Sequence, residues 1–259
     1  MVRYKLLNKS WAIVLAVCLI FTVSACSVSN EGGGKFTAKV AENLDKKLVK
    51  ANNEFAFHLY NQLTKTGQQG KNVFISPTSI SLALSMTYNG ADGRTKAAMA
   101  DALKFKDISL ETLNEENLKL RSVLQHADED VTLEIANSIW ARKGIEFKSD
   151  FMDRNKDYYN SYIKALDFAD PKTTKIINGW VSKATHGKID SIVDEKIDPQ
   201  TVMFLINAIY FNGEWTEPFK AENTKKVPFT NQDGLETHVD MMFQNGEYKY
   251  FKGDKFQAL

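Results

Sequence analysis

Cysteine is almost missing from this sequence: its 259 residues hold two, Cys18 and Cys26. Two cysteines cannot build a disulfide framework, and no CxxC pair is present to hold a metal or run redox chemistry. Histidine is scarce too. His58, His126, His186 and His238 stand without a Cys or carboxylate at metal-ligand spacing, and HExxH is absent, so no metal is expected. There is no GxSxG nucleophile elbow and no phosphate-binding glycine loop. Gly32–Gly34 is followed by neither GxxG nor GK[ST]. Carboxylate pairs of the glycosidase kind cannot be paired off from a linear sequence. Nothing here marks a catalytic centre or a cofactor, and the chain reads as a non-enzyme. An excess of either charge is also lacking. With 33 Lys and Arg against 32 Asp and Glu, the net charge is +1, which gives no reason to expect nucleic acid as a partner.

What is present is a core. Hydrophobic residues make up 43% of the chain, with 16 Phe, 9 Tyr and 4 Trp to bury. The first 25 residues stand apart from it. Arg3, Lys5 and Lys9 form a positive front without an acid, Trp11 to Val23 is apolar, and Val23-Ser24-Ala25-Cys26 ends in small residues before a cysteine. This is the pattern of a signal peptide, and the apolar run is short for a membrane span. The small-small-Cys ending resembles the bacterial lipobox. That resemblance implies removal of residues 1–25, lipidation of Cys26, and a protein held at the outer face of the membrane. Residues 26–37, with Gly32–Gly34 and few apolar side chains, read as a flexible tether. The domain is expected over 38–259, with no free thiol once Cys18 is cut away.

The domain's first half is helical by periodicity. Val40, Leu44, Leu48, Phe55, Leu59 and Leu63 share one face of a helix within Ala38–Lys65. Ser76-Pro77 caps and opens a second helix running to Asn89-Gly90, apolar on nearly every side and so expected to be central and buried. Further helices are predicted over 92–103, 109–128, 149–160 and from Asp170-Pro171 to a stop at His186-Gly187. Strands are expected from Val131 through Trp140 and over 162–168. Val202 to Phe211, apolar on both faces, reads as a buried central strand. Short strands follow over 224–230, 235–242, 248–251 and 255–259, with a turn at Asn231–Gly234 between the first two. Helices first and strands later indicate an α+β domain. Leu259 stands inside an apolar strand pattern, which suggests a chain that stops in mid-strand.

Three segments together resemble the serpin family. Asn72 to Ile80, containing Ser76-Pro77-Thr78-Ser79, resembles the start of that family's buried second helix and continues into Met86 to Ala91. Ile177 to Val181 with Thr185 to Ile189 resembles the end of the helix lying across its large sheet. Phe204 to Trp215, with Pro218-Phe219, resembles the third strand of that sheet and the turn beyond. Val227 to Phe229 and Val239 to Met242 fit the strands that follow. The likeness runs in order from about Ala38 to Leu259.

The resemblance implies a serpin fold without its last third, and a full-length inhibitor of serine or cysteine endopeptidases. Such a protein works once, by inserting its cleaved reactive loop into the large sheet. No residue of this chain falls on that loop. Ser76, Ser79 and Asn207 fall on the family's shutter positions, the polar cluster that holds the sheet closed, and Trp215 falls on the breach, where the loop first enters. A polar Asn on an apolar strand needs a partner, and hydroxyls at a helix start can supply one. Relatives activated by polyanions use a basic fourth helix. Here Lys119 and Arg121 face Glu111, Glu115, Glu116, Asp128, Glu129 and Asp130, which argues against a polyanion partner. A non-inhibitory binding or chaperone module and a non-functional fragment stay open as alternatives.

Overall fold

The computed structural model describes residues 40–66, 72–194, 196–231, 233–254 and 256–258. The expected signal peptide, Cys26 and the expected tether lie outside the described residues. The four helices that precede the sheet each begin where a side-chain oxygen accepts from one of the first amides. In α1, Lys46–Lys65, Asp45 Oδ1 accepts from Lys47 N at 2.6 Å, and Leu48, Ala51 and Phe55 form the buried stripe. In α2, Pro77–Tyr88, Ser76 Oγ accepts from Ser79 N at 3.4 Å and Pro77 takes the first helical position. α2 buries Leu82, Met86 and Tyr88 but leaves Leu84 exposed, so it is covered on one side and not all round. Two residues past its end comes Gly90, where a Cβ would meet the Phe151 ring at 2.9 Å. α3 spans Gly93–Ala102, and α4 spans Leu110–Gln125 under a Ser109 cap. α4 stops three residues short of the predicted end, ahead of the acids at 128–130.

β1, Val131–Arg142, is followed by α5, Ser149–Tyr159, and β2, Tyr162–Leu166. Then come α6, Lys172–Ala184, and β3, Met203–Gly213. These strands form one mixed sheet in the order β2-β1-β3, with β2 parallel and β3 antiparallel to β1. β1 is therefore the middle strand and β3 an edge strand among the described residues. This corrects the expectation of a buried centre for 202–211. Only Ile206 and Ala208 of β3 are buried, because no described strand covers its outer edge.

β4, Lys225–Thr230, and β5, Glu236–Met241, form a hairpin. Asn231 Oδ1 accepts from Asp233 N and Leu235 N at 3.0 and 2.9 Å, and Gly234 takes φ +76°, where a side chain would strain the turn. The two strands expected over 248–259 shrink to a two-residue ladder, β6 Phe251–Lys252 and β7 Gln257–Ala258. Tyr248 and Tyr250 stay exposed outside it.

Three apolar clusters hold the domain together. Leu48, Phe55, Tyr88, Leu103, Phe105 and Leu113 join α1 to α4. On one face of the sheet, Ile177 and Val181 of α6 pack on Trp140, Leu166 and Ile206. On the other, Leu82 and Met86 of α2 meet Ile135, Ile139, Phe151 and Tyr159. Each such side chain contributes roughly 1.5–3 kcal/mol on burial. The sheet thus lies between α6 on one side and α2 with α5 on the other. Among the described residues no helix is long and apolar enough to cross a membrane.

Candidate functional site

Strand parity selects the polar residues that face α2. On β1, Ile135, Asn137 and Ile139 point to one side, and the antiparallel register sets Asn137 opposite Asn207 on β3. Asn207 Nδ2 donates to Asn137 Oδ1 at 2.6 Å. From above, Ser79 Oγ donates to Asn207 Oδ1. One amide therefore ties the start of α2 to two strands. Asn137, 2% exposed, in turn donates to the carbonyl of Tyr159 at 2.8 Å. The fourth side chain, Ser76, is exposed and turned to the helix cap, so the structure joins Ser79 and Asn207 and leaves Ser76 one step away. An apolar cleft of about 780 Å³ opens beside this contact, lined by Phe74, Pro77, Ile135, Ile209 and Phe211.

The polar chain continues inward. Tyr159 Oη donates to Asn114 Oδ1 at 2.8 Å and accepts from Asn117 Nδ2 at 3.1 Å. Asn114 and Asn89 exchange hydrogen bonds at 2.8 and 3.0 Å. Burial pushes the Tyr159 phenol up to about 12, so it stays a neutral donor. The network links α2, α4, α5, β1 and β3 through neutral groups. It offers no nucleophile beside a base, and its chemistry is that of a restraint. Among the described residues no group of three His, Cys, Asp or Glu side chains is placed to hold a metal. Asn137 and Tyr159 were missed as site residues. Asn137's signal was its parity with Ile135 and Ile139, whereas nothing in the chain order foretells Tyr159.

On the opposite face, α6 ends in a Schellman turn. Gly187 N reaches Ser182 O at 2.8 Å and His186 N reaches Lys183 O at 3.3 Å, with His186 at φ 50°. The His186 ring lies 4.2 Å from that of Tyr210, and its Nε2 is 3.0 Å from Glu134 Oε2. Glu134 and Tyr210 are themselves register partners on β1 and β3. Beyond the turn the chain folds back along α6. Asn178 Oδ1 accepts from Ile192 N and Val193 N, each at 3.0 Å, and Asn178 Nδ2 donates to Val193 O at 2.9 Å. Helix and returning strap form one unit, pinned to the sheet at its end.

Trp215 stands in the loop after β3, 65% exposed, edge-on to Phe219 at 5.5 Å. It belongs to none of the three core clusters of the described residues. On α4, Lys119 pairs with Glu116 at 2.6 Å and Arg121 is buried with a bond to the Tyr158 carbonyl, so neither is a free surface cation.

The family model described as Serpin (serine protease inhibitor) matches residues 50–259. An uncharacterized serpin-like protein of Methanosarcina mazei is 32% identical over 267 residues, 95% of this chain and 60% of its own. Antithrombin-III of Mus musculus is 34% identical over 222 residues, 82% of this chain and 48% of its own. Among solved structures, the thermophilic serpin tengpin in its native state superposes with a TM-score of 0.71 at 36% identity, over 83% of this chain and 54% of that one. The chain thus spans about half to three-fifths of the length of these relatives. The helix start, the strand pair and the capped helix across the sheet all lie within the matched residues, on the fold those relatives share, and the chain belongs to the serpin family.

Proposed function

We propose that the protein carrying this domain inhibits serine or cysteine endopeptidases by suicide-substrate loop insertion. The observation that carries the reading is the contact of Ser79 and Asn137 with the single amide of Asn207. Loop insertion needs a sheet that stays shut until triggered. A few neutral hydrogen bonds, each worth about 0.5–1.5 kcal/mol net, are a restraint of the right size to hold and release. In this reading Ser79 and Asn207 form the shutter, Ser76 supports it through the helix cap, and Trp215 marks the breach. The protease's nucleophile attacks the carbonyl of the scissile bond, the C–N bond breaks, and the new amine leaves with a proton. The acyl-enzyme, an ester with a serine protease and a thioester with a cysteine protease, is then trapped as the loop adds a strand to the sheet. The protein turns over no substrate, and no residue of this chain is assigned to the reactive loop.

The test is incubation of the full-length protein with a panel of serine and cysteine proteases. A 1:1 complex stable in SDS is expected with at least one. Cleavage of the loop without any covalent complex, across the panel, overturns inhibition and favours the binding-module reading. We further propose that residues 1–25 direct export and that Cys26 carries the lipid that holds the domain outside the cytoplasmic membrane. The motif Val23-Ser24-Ala25-Cys26 supports this.

A further inference from the structure

The outer face of α1 carries cationic and aromatic side chains that neither the core nor the polar network uses. The helix holds four lysines, Lys46, Lys47, Lys50 and Lys65, against the single acid Glu54, a net +3. On the same helix Phe57 is 77% exposed, Tyr60 49% and Val49 41%. Phe57, Val49, Lys46 and Lys50 line one groove of about 840 Å³, together with Glu54, whose carboxylate is 3.7 Å from the exposed Lys50 ammonium. The groove's other wall is Ala41 and Glu42, at the beginning of the described chain. An exposed ring flanked by lysines suits the boundary between headgroups and acyl chains. The ring enters the apolar side, and the lysine stems follow it while their ammonium groups stay on phosphate. Anionic headgroups attract such lysines within a Debye length of the surface.

We propose that this face of α1 docks on an anionic bilayer, with Phe57 at the interface and Lys46 and Lys50 on the headgroup phosphates. The length of chain ahead of the domain selects this occupant. Residues 27–39 separate Cys26 from the groove and reach roughly 45 Å when fully extended, so an anchored chain keeps the face beside the membrane. The proposal rests in this respect on the reading of Cys26 as the lipid site. Docking fixes the orientation of the domain, because the sheet and its edge strand are then held at a set angle to the bilayer.

The test uses the full chain reconstituted into vesicles, with Phe57→Trp as the probe and the wild-type emission subtracted. Position 57 is exposed, so the larger ring leaves packing untouched. In phosphatidylglycerol vesicles containing brominated lipid, quenching of the added Trp is expected to exceed that in phosphatidylcholine vesicles about threefold. Lys46→Glu with Lys50→Glu is expected to remove that excess while vesicle attachment stays unchanged. An attached chain whose added Trp is unquenched overturns the docking and leaves the anchor standing. Blue-shifted emission without vesicles and no quenching with them assigns the groove to the chain's own N-terminal segment, and also overturns it. Attachment that survives Cys26→Ser overturns the lipid reading alone, provided the quenching excess persists. A chain that neither attaches nor quenches in anionic vesicles at low salt overturns both.

Discussion

Asn207 and Asn137 face each other across the antiparallel pair β3 and β1, joined amide to amide at 2.6 Å, with Ser79 closing the contact from the helix above. Asn207→Ala leaves Asn137 Oδ1 and the Ser79 hydroxyl without that partner in a partly buried place. The expected cost is about 1–3 kcal/mol. Urea unfolding of wild type, Asn207→Ala, Ser79→Ala and the double variant checks it. The two single losses should sum to more than the double loss, because both remove the same bond. Strict additivity would show that the two side chains act apart.

His186 occupies a left-handed position that favours glycine, yet its ring rests on Tyr210 and beside Glu134. The two effects separate by substitution. His186→Ala keeps the backbone strain and loses the ring contacts. His186→Gly loses the contacts but relieves the strain, which is about 1 kcal/mol for a residue with a Cβ. The glycine variant should therefore be the more stable of the two by roughly that amount, read as a difference in Tm of several degrees. Equal melting temperatures would mean that the α6 turn opens before global unfolding.

Much of this arrangement was legible in the chain. Ser76-Pro77 marked the start of α2, Asn231–Gly234 the hairpin, and His186-Gly187 the end of α6, because capping and turn chemistry are local. The apolar run 202–211 was legible as a strand and misread in its surroundings. Burial of a strand depends on which strands flank it, and that information is not in its own side chains. Asn207 stood out as one amide in an apolar run. Asn137 did not, since Ser138 beside it is equally polar, and its parity with Ile135 and Ile139 becomes decisive only once α2 is seen to cover that face. Tyr159 joins the network through a fold contact 45 residues from Asn114, beyond the reach of any local pattern.

Alkaline pH should reach the same network through Tyr159. Its folded phenol is raised to about 12 from an unfolded value near 10. The protonated form is the one the fold favours. The stability it contributes is therefore complete below about pH 10 and is lost as pH climbs toward 12. That difference between the folded and unfolded phenol corresponds to roughly 2–3 kcal/mol. Urea midpoints between pH 8 and 11.5 should fall in wild type and fall less in Tyr159→Phe. The variant starts lower, by about 1–2 kcal/mol, because Asn117 Nδ2 loses its acceptor. A pH slope unchanged by the substitution would assign the alkaline loss to other groups.

Replacing Cys26 addresses the N-terminus. A lipidated cysteine carries more than one acyl chain, enough for stable attachment where a single chain is marginal. Cys26→Ser should abolish processing or release the processed protein from the membrane fraction. Labelled fatty acid should enter the wild type and not the variant. A processed Cys26→Ser protein that sediments with membranes as the wild type does would remove the lipid from the account.

The surface from β3 onward bears on how this 259-residue stretch behaves when made by itself. Phe211 is 67% exposed, and Trp215, Phe229, Leu235, Phe243, Tyr250 and Phe256 are exposed with it. Large exposed apolar side chains in such number are uncommon on a soluble monomer. β3 adds an outer edge whose amides and carbonyls find no described strand. An open, apolar strand edge templates pairing with another chain. Residues 27–259 purified alone should accordingly self-associate at micromolar concentration and bind an apolar dye. Light scattering during size-exclusion chromatography reads the first and dye fluorescence the second. Supplying in trans the C-terminal strands of a serpin relative should suppress both, since they offer the edge a matching strand and the rings a cover. A monodisperse monomer with a sharp unfolding transition and no dye signal would show that the exposed rings find partners within the 259 residues.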